Sequence, residues 1–263
     1  MKDIIVTGAY GGMGRATVKA LSDMGYRVFA LDKSVEEGYG NVIPVETDIT
    51  REEEINRAVG IVSSYTNTVH AIIHFAGIYM LDSLVEIDTS DFDKIFDVNF
   101  RGVYLVNKLA FPLLKYGSRI IVTTSELAPL DPLPFTSIYA VTKSALDKYA
   151  FSLRMELQLL GISVSVLRAG AVNTGMLGVS TSALERFCNN TRLYSCNAKR
   201  FKAIVDRVEA RSISSDKLAM KVVSVLKKKK PSFSYSINRN PLLLLLNLLP
   251  CRIQFFAIRL VLK

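Results

Sequence analysis

The chain has 263 residues, is 49% hydrophobic and carries a net charge of +9. This length and apolar content suit one large domain with a sizeable core and exclude a disordered chain. Three cysteines with no CxxC pair, and only two histidines, exclude a disulfide framework and argue against a zinc site, so no metal is expected and a reducing compartment is.

The charge is unevenly placed. Every acidic residue lies at or before Asp216, and from Lys227 onward there are eight cations and no acid. The positive charge therefore belongs to one end and not to a groove through the domain, so no nucleic-acid partner is expected.

At the N-terminus an apolar run of only three residues, Ile4 to Val6, leads into a glycine loop. It is too short for the apolar core of a secretory signal, and a cytoplasmic protein is expected. Five short apolar runs follow along the chain: "DIIVTG", "YRVFALD", "HAIIHFAG", "RIIVTTS" and "ISVSVLRAG". Their Ile/Val content predicts strands covered on both faces of a parallel sheet. A further strand end is expected just before Asp48. Helical patterns alternate with the strands over residues 12–24, 51–65, 91–114 and 138–160, the last ended by Gly161. The expected fold class is α/β: a single Rossmann-like doubly wound parallel sheet with helices on both faces. Residues 1–226 are read as the catalytic domain and residues 227–263 as a basic, leucine-rich C-terminal extension.

The first turn, "TGAYGGMG" from Thr7 to Gly14, sits between a strand and a helix. Glycines there let backbone amides approach a pyrophosphate, and the helix N-terminus favours its charge. Asp32 ends the second strand, where a carboxylate accepts hydrogen bonds from ribose hydroxyls and repels a 2′-phosphate. This favours NAD over NADP, although Lys33 beside it offsets part of the repulsion. Asp48 is placed either to accept from an adenine amino group or to cap the next helix, as is Thr50.

Tyr139 and Lys143 stand four apart in a helical segment and so share a face. A lysine ammonium there stabilises a phenolate and lowers the tyrosine pKa from its ordinary value of about 10. Upstream, "IIVTTS" ends a strand in Thr123, Thr124 and Ser125, hydroxyls suited to orienting a carbonyl or alcohol. Asn99 lies inside an otherwise apolar helix, where an unsatisfied amide is costly.

From Lys2 to about Arg211 the chain resembles the short-chain dehydrogenase/reductase family. Thr7, Gly8, Gly12 and Gly14 match its TGxxxGxG loop, Asp48 its adenine-contacting acid, Asn99 its helix Asn, Ser125 its serine, and Tyr139 and Lys143 its YxxxK. The "RAGAVNTGM" stretch matches its PGxxxT segment, with Thr174 at the nicotinamide amide. The resemblance implies a general acid/base tyrosine, a lysine that lowers its pKa and binds the nicotinamide ribose, a carbonyl-polarising serine, and an asparagine that holds a relay water. It further implies that Met13, Ile49, Ala76, Gly77, Gly170 and Val172 contact the cofactor.

Three departures stand out. "HFAG", His74 to Gly77, replaces NNAG. Ala169 replaces the PG proline. Ser125 lies one residue further upstream of Tyr139 than usual, which leaves Thr124 as the alternative hydroxyl.

The resemblance also places a substrate lid at about residues 175–215. Met176, Leu177, Leu184, Phe187, Leu193, Tyr194 and Phe201 are candidates to line an apolar cavity. The extension's leucine run, Leu242 to Leu249, is interrupted by Asn247 and followed by Pro250. It is too broken for a membrane span but suits an interfacial helix on an anionic membrane surface, or a helix packed on protein. It resembles the hydroxysteroid and retinol dehydrogenase branch. The combined expectation is an NAD(H)-dependent oxidoreductase acting on a lipophilic alcohol or ketone, in a homo-oligomer paired through helices 91–114 and 138–160. The alternatives are an NADP-dependent carbonyl reductase and a non-catalytic nucleotide-binding module.

Overall fold

In the first strand, β1 (Asp3–Thr7), every residue is buried. Alternate side chains reach opposite faces: Ile4 and Val6 join one apolar cluster and Ile5 the other. A strand apolar on both sides belongs in the middle of a covered sheet, and β1 holds that position. The computed structural model describes residues 1–173, 175–209 and 212–263, with the side chains of all but residues 137, 175–181 and 207–209.

After β1 come α1 (Gly12–Asp23), β2 (Arg27–Asp32), β3 (Val42–Glu46), α2 (Glu52–Tyr65) and β4 (Val69–His74). A helical run follows: α3 (Thr89–Phe96), a π turn at Asp97–Arg101 and α4 (Gly102–Ala110). Pro112 lies in the tight turn Phe111–Leu113, so the helix expected to reach residue 114 stops short of it. Leu114 instead starts β5 (Leu114–Ser125), which precedes α5 (Ser137–Leu157) and β6 (Ser163–Ala169). Gly161 ends that helical segment with φ +72°, and a side chain there would collide with the Tyr116 ring.

The remaining elements are β7 (Val172–Asn173), α6 (Gly175–Asn190), α7 (Ser195–Glu209), β8 (Ile213–Ser214), α8 (Ser215–Lys227), β9 (Ser234–Ile237), α9 (Pro241–Asn247) and α10 (Cys251–Leu262). Seven strands form one parallel sheet in the order β3-β2-β1-β4-β5-β6-β9, and β7 pairs with β8 in a small separate sheet. α2, α4 and α5 cover one face, while α1 and α8 cover the other. Strand order reverses between β1 and β4, which opens a crevice at the carboxyl ends of the strands, where ligands bind in open α/β sheets.

This is the doubly wound sheet expected from the sequence, with one correction to its end. The extension read as starting at Lys227 contributes a strand to the sheet, because Ser234–Ile237 pairs with Val166–Ala169. Only the helices α9 and α10 lie outside the sheet. No helix among the described residues is long and apolar enough to cross a membrane.

Candidate active site

The glycine turn is shaped by close backbone approaches. Gly8 has φ +65°, and a Cβ there would fall 2.4 Å from the Ala76 amide nitrogen. A Cβ on Gly14 would fall 2.0 Å from the Gly8 carbonyl oxygen. Only glycine fits either place. The turn ends at Gly11, the N-cap of α1, with no side chain capping the first amides. Those amides and the helix dipole are free to hold an anion. The crowded glycines and uncapped helix therefore fit a dinucleotide pyrophosphate.

Asp32 ends β2. Its Oδ2 accepts from the Tyr10 amide at 2.9 Å and its Oδ1 from the Lys33 amide at 2.8 Å. The Lys33 ammonium turns away to Asp48 Oδ2, 2.9 Å distant. Asp48 Oδ1 also accepts from the amide and hydroxyl of Thr50 at 2.9 and 2.7 Å. Burial opposes the Asp48 charge, but the Lys33 and Thr50 hydrogen bonds outweigh it and hold the carboxyl below its usual range. Asp48 thus organises the turn into α2, whose N-cap is Arg51 and carries no side-chain cap. Ile49 beside it is buried and packs on Gly102.

The residue in place of the family's usual asparagine finds its own partners. His74 is buried; its Nε2 lies 2.9 Å from Asn107 Oδ1 and its Nδ1 3.3 Å from the Thr7 hydroxyl. Asn107 in turn donates to the Tyr149 hydroxyl at 3.3 Å. A chain of hydrogen bonds therefore ties β1 through β4 to α4 and α5.

Asn99 lies in the π turn between α3 and α4 and is fully buried. Its Oδ1 accepts from the Ile78 amide at 2.8 Å, and its Nδ2 donates to the Ile78 carbonyl at 3.0 Å and the Thr142 hydroxyl at 3.2 Å. A Cβ on Gly77 would fall 3.1 Å from Asn99 Oδ1 and 3.3 Å from Lys143 Nζ, so Gly77 leaves space for both.

A cavity of about 240 Å³ gathers the chemistry. Ser125, Tyr139 and Lys143 line it, together with Met13, Gly77, Gly170 and Val172. Ser125 Oγ accepts from the Leu127 amide at 3.2 Å and lies close enough to the Tyr139 hydroxyl to favour its phenolate. The Thr124 hydroxyl instead donates to Asp147 Oδ1 at 3.3 Å, where Arg168 also binds Asp147 through two nitrogens. Thr123 and Thr124 also line the cavity, but the Thr124 hydroxyl is engaged by Asp147 and Ser125 is the hydroxyl beside Tyr139.

Lys143 is buried, with its Nζ 5.7 Å from the Tyr139 ring centre and 3.4 Å from the Thr123 carbonyl. The protein's own groups do not give the lowered tyrosine pKa that the spacing suggests. Burial pushes Tyr139 up to about 12, against a smaller opposing effect of the Ser125 hydrogen bond. Burial also pulls Lys143 down to about 8. Desolvation outweighs the attraction of ammonium for phenolate at this separation.

The sequence reading missed much of the wall. Glu126, Tyr79, Leu133, Asn240 and Leu243 line the cavity, and the Tyr79 ring meets the Tyr139 ring edge-on at 4.7 Å. Of the lid candidates, only Phe201 is in the wall among the described residues. Leu184, Phe187 and Tyr194 pack around Phe135, and Leu193 is exposed. The side chains of Met176 and Leu177, and Thr174 as a whole, lie outside the described residues.

The comparisons with known proteins bear on the fold and the family. A curated 3-ketodihydrosphingosine reductase from Bacteroides thetaiotaomicron is 23% identical over 231 residues, which is 88% of this chain and 85% of that protein. An NADPH-dependent 1-acyldihydroxyacetone phosphate reductase from Schizosaccharomyces pombe is 30% identical over 192 residues, 69% of this chain and 65% of that one. The crystal structure of a short chain dehydrogenase family protein from Francisella tularensis shares the fold, with a TM-score of 0.75 at 22% identity over 90% of this chain and 97% of that one. The family model for short chain dehydrogenases matches residues 2–185, and the chain belongs to that family.

Proposed function

We propose that this protein is an NAD(H)-dependent oxidoreductase that interconverts an alcohol and its carbonyl on a lipophilic substrate. One observation carries the reading: Tyr139, Ser125 and Lys143 converge on a single cavity whose wall is otherwise mostly apolar. Gly8, Gly12 and Gly14 cradle the cofactor's pyrophosphate, Asp32 its adenosine ribose, and Asp48 and Ile49 flank the adenine. Ala76, Gly77, Gly170 and Val172 approach its nicotinamide half. The bound nicotinamide supplies or accepts the hydride.

The protein's own residues handle the proton and the carbonyl. Ser125 donates a hydrogen bond to the substrate oxygen and holds it beside Tyr139. Tyr139 gives its phenolic proton to that oxygen in reduction and takes it back in oxidation. Burial favours its protonated form, the form that gives the proton in reduction. Lys143 places a cation beside the phenolate that forms. Asn99 fixes the Ile78 backbone at the cavity edge and positions a relay water.

NAD is favoured because the Asp32 carboxylate stands at the ribose position while Lys33 is engaged by Asp48. The NADPH-dependent yeast relative supports the alternative cofactor. The lipophilic substrate is supported by the apolar wall and by the sphingoid and acyl compounds in the relatives' names. Exposed Val141, Phe151 and Met155 on α5 suit pairing with a second copy of the chain. The basic C-terminal segment suits an anionic membrane surface. The function is tested by NAD(H)- and NADP(H)-linked turnover across steroids, retinoids and long-chain carbonyls. Tyr139→Phe is expected to lower kcat by about 10²–10⁴ while leaving NADH affinity near wild type. Retained turnover overturns the proposal.

A further inference from the structure

The two C-terminal helices turn apolar side chains outward. On α9, Leu242, Leu245 and Leu248, the last just past the helix, recur every three residues, and Leu248 is 80% exposed. α10 is divided lengthwise. Gln254, Ile258 and Leu262 turn inward, with Ile258 and Leu262 packed in the cluster around Phe135. On the opposite side Phe256 and Leu260 are 66% and 70% exposed, and Phe255, on the flank, is 69% exposed. Arg252, Phe256, Arg259 and Lys263 follow one another at helical spacings of four, three and four, so cations and an aromatic ring share that outer side. Contiguous exposed apolar groups on a protein surface mark an interaction site.

The charge selects the occupant. After β9 the chain carries Arg239, Arg252, Arg259 and Lys263 and no acid, so two copies meeting through this face would set cation against cation. A bilayer with anionic headgroups satisfies both the apolar and the basic groups.

The same helices belong to the active site. Leu243, on α9, and Asn240, its N-cap, are in the cavity wall. Three hydrogen bonds tie the segment to the loop between Ser125 and Tyr139. The Asn240 amide donates to Glu126 Oε2 at 2.6 Å, the Asp131 amide to Asn247 Oδ1 at 2.8 Å, and Gln254 Nε2 to Asp131 Oδ2 at 3.2 Å.

We propose that α9 and α10 seat the protein on an anionic phospholipid bilayer with α9 turned toward it, and that α9 is the wall a lipophilic substrate crosses to reach Tyr139. The substrate step rests on the function proposed above; the docking does not. Point substitutions are the right probe, because deleting the chain after Lys230 also removes β9 from the sheet.

The chain contains no tryptophan, so single-indole variants of the full-length protein report position directly. Phe256→Trp probes α10 and Leu245→Trp probes the outer side of α9. Tyr116→Trp is the control, exposed near the start of β5 at the opposite end of the strand from Ser125. Each is mixed with vesicles of phosphatidylcholine alone, or of equal parts phosphatidylcholine and phosphatidylserine carrying brominated acyl chains. The indoles at 256 and 245 are expected to blue-shift and lose emission on the phosphatidylserine vesicles, less so as salt is raised, and the indole at 116 to stay unchanged.

No response at 256, or the same response on concentrating the protein without vesicles, overturns the docking. An equal response on phosphatidylcholine alone overturns the role of anionic lipid. A response at 256 without one at 245 overturns the placement of α9. None of these readings uses turnover, so a failure of the Tyr139 test leaves the docking result standing.

Discussion

Asn99 grips the Ile78 peptide on both sides, accepting from its amide at 2.8 Å and donating to its carbonyl at 3.0 Å. The grip joins the π turn of the long helical run to the loop after β4, one residue beyond Gly77. A buried backbone group left without a partner costs about 1–3 kcal/mol. Asn99→Ala removes the partner from two such groups. Urea unfolding is expected to show a loss of roughly 2–4 kcal/mol on that basis, with kcat falling as the loop loosens. Asn99→Asp keeps the acceptor but sets an oxygen against the Ile78 carbonyl, and is expected to be destabilised as well.

Ser125 and Thr124 are adjacent hydroxyls with different partners, and they separate by kinetics. Ser125 meets Tyr139, so Ser125→Ala is expected to lower kcat by roughly 10²–10³, the usual effect of losing one donor at a developing oxyanion. Thr124 meets Asp147, so Thr124→Val is expected to cost on the order of 1 kcal/mol of stability with little change in kcat. Steady-state turnover of the two variants on one substrate checks the assignment. A larger kcat loss for Thr124→Val would reverse it.

Lys143 illustrates a functional group that weakens the fold. Burial lowers its folded pKa to about 8, below its unfolded value. Below pH 8 both states hold the proton, and the folded state bears the whole desolvation penalty. As pH rises from 8 toward the unfolded value, the folded state sheds the proton first and the penalty is relieved. Each pKa unit is worth about 1.4 kcal/mol. Lys143→Met is therefore expected to gain on the order of 2–3 kcal/mol at pH 7 while losing turnover. The gain should shrink between pH 8 and 10. Thermal melts at those pH values check it, and a variant less stable than wild type at pH 7 refutes the account.

The central elements were legible because their signals are strong. β1, β2, β4, β5 and β6 are apolar on both faces, and the glycine turn after β1 lies directly between a strand and a helix. The edges were harder to read. β9 is paired on one side only and buries one side chain deeply, Tyr235, so "SYSI" after a run of lysines reads as tail. β3 also lies at an edge, where Pro44 is tolerated but weakens the strand pattern.

Side-chain direction was not legible either. Spacing left Ser125 one residue out of step with Tyr139 and Thr124 as the fallback, and only the side-chain partners in the fold separate them. The lid aromatics gave an apolar signal that fits either a cavity wall or packing. Phe135, whose backbone is left-handed at φ 64°, meets the rings of Phe187, Tyr194 and Phe201 in one cluster. A non-glycine residue in that region has no signature in the sequence.

His74 offers a test of how the fold replaces the missing asparagine. Asn107 Oδ1 is an acceptor, because the amide's Nδ2 donates to Tyr149. The network therefore assigns the proton to His74 Nε2 and leaves Nδ1 to accept from the Thr7 hydroxyl. A neutral ring satisfies both partners. A second proton would face the Thr7 oxygen with no charge nearby to balance it, and burial lowers the pKa to about 4. The unfolded chain takes that proton near its ordinary value of about 6.5. Stability is thus complete above pH 6.5 and declines as pH falls toward 4, by as much as roughly 3 kcal/mol from this residue. His70, also lowered to about 4 by burial, adds a decline of the same sign. His74→Asn keeps a donor and an acceptor but cannot titrate. Its urea midpoint is expected to fall less than wild type between pH 7 and pH 4.5, with the remaining slope due in part to His70. Parallel declines in the two proteins would mean that His74 is charged in the fold and that the Thr7–His74–Asn107 chain is not as assigned.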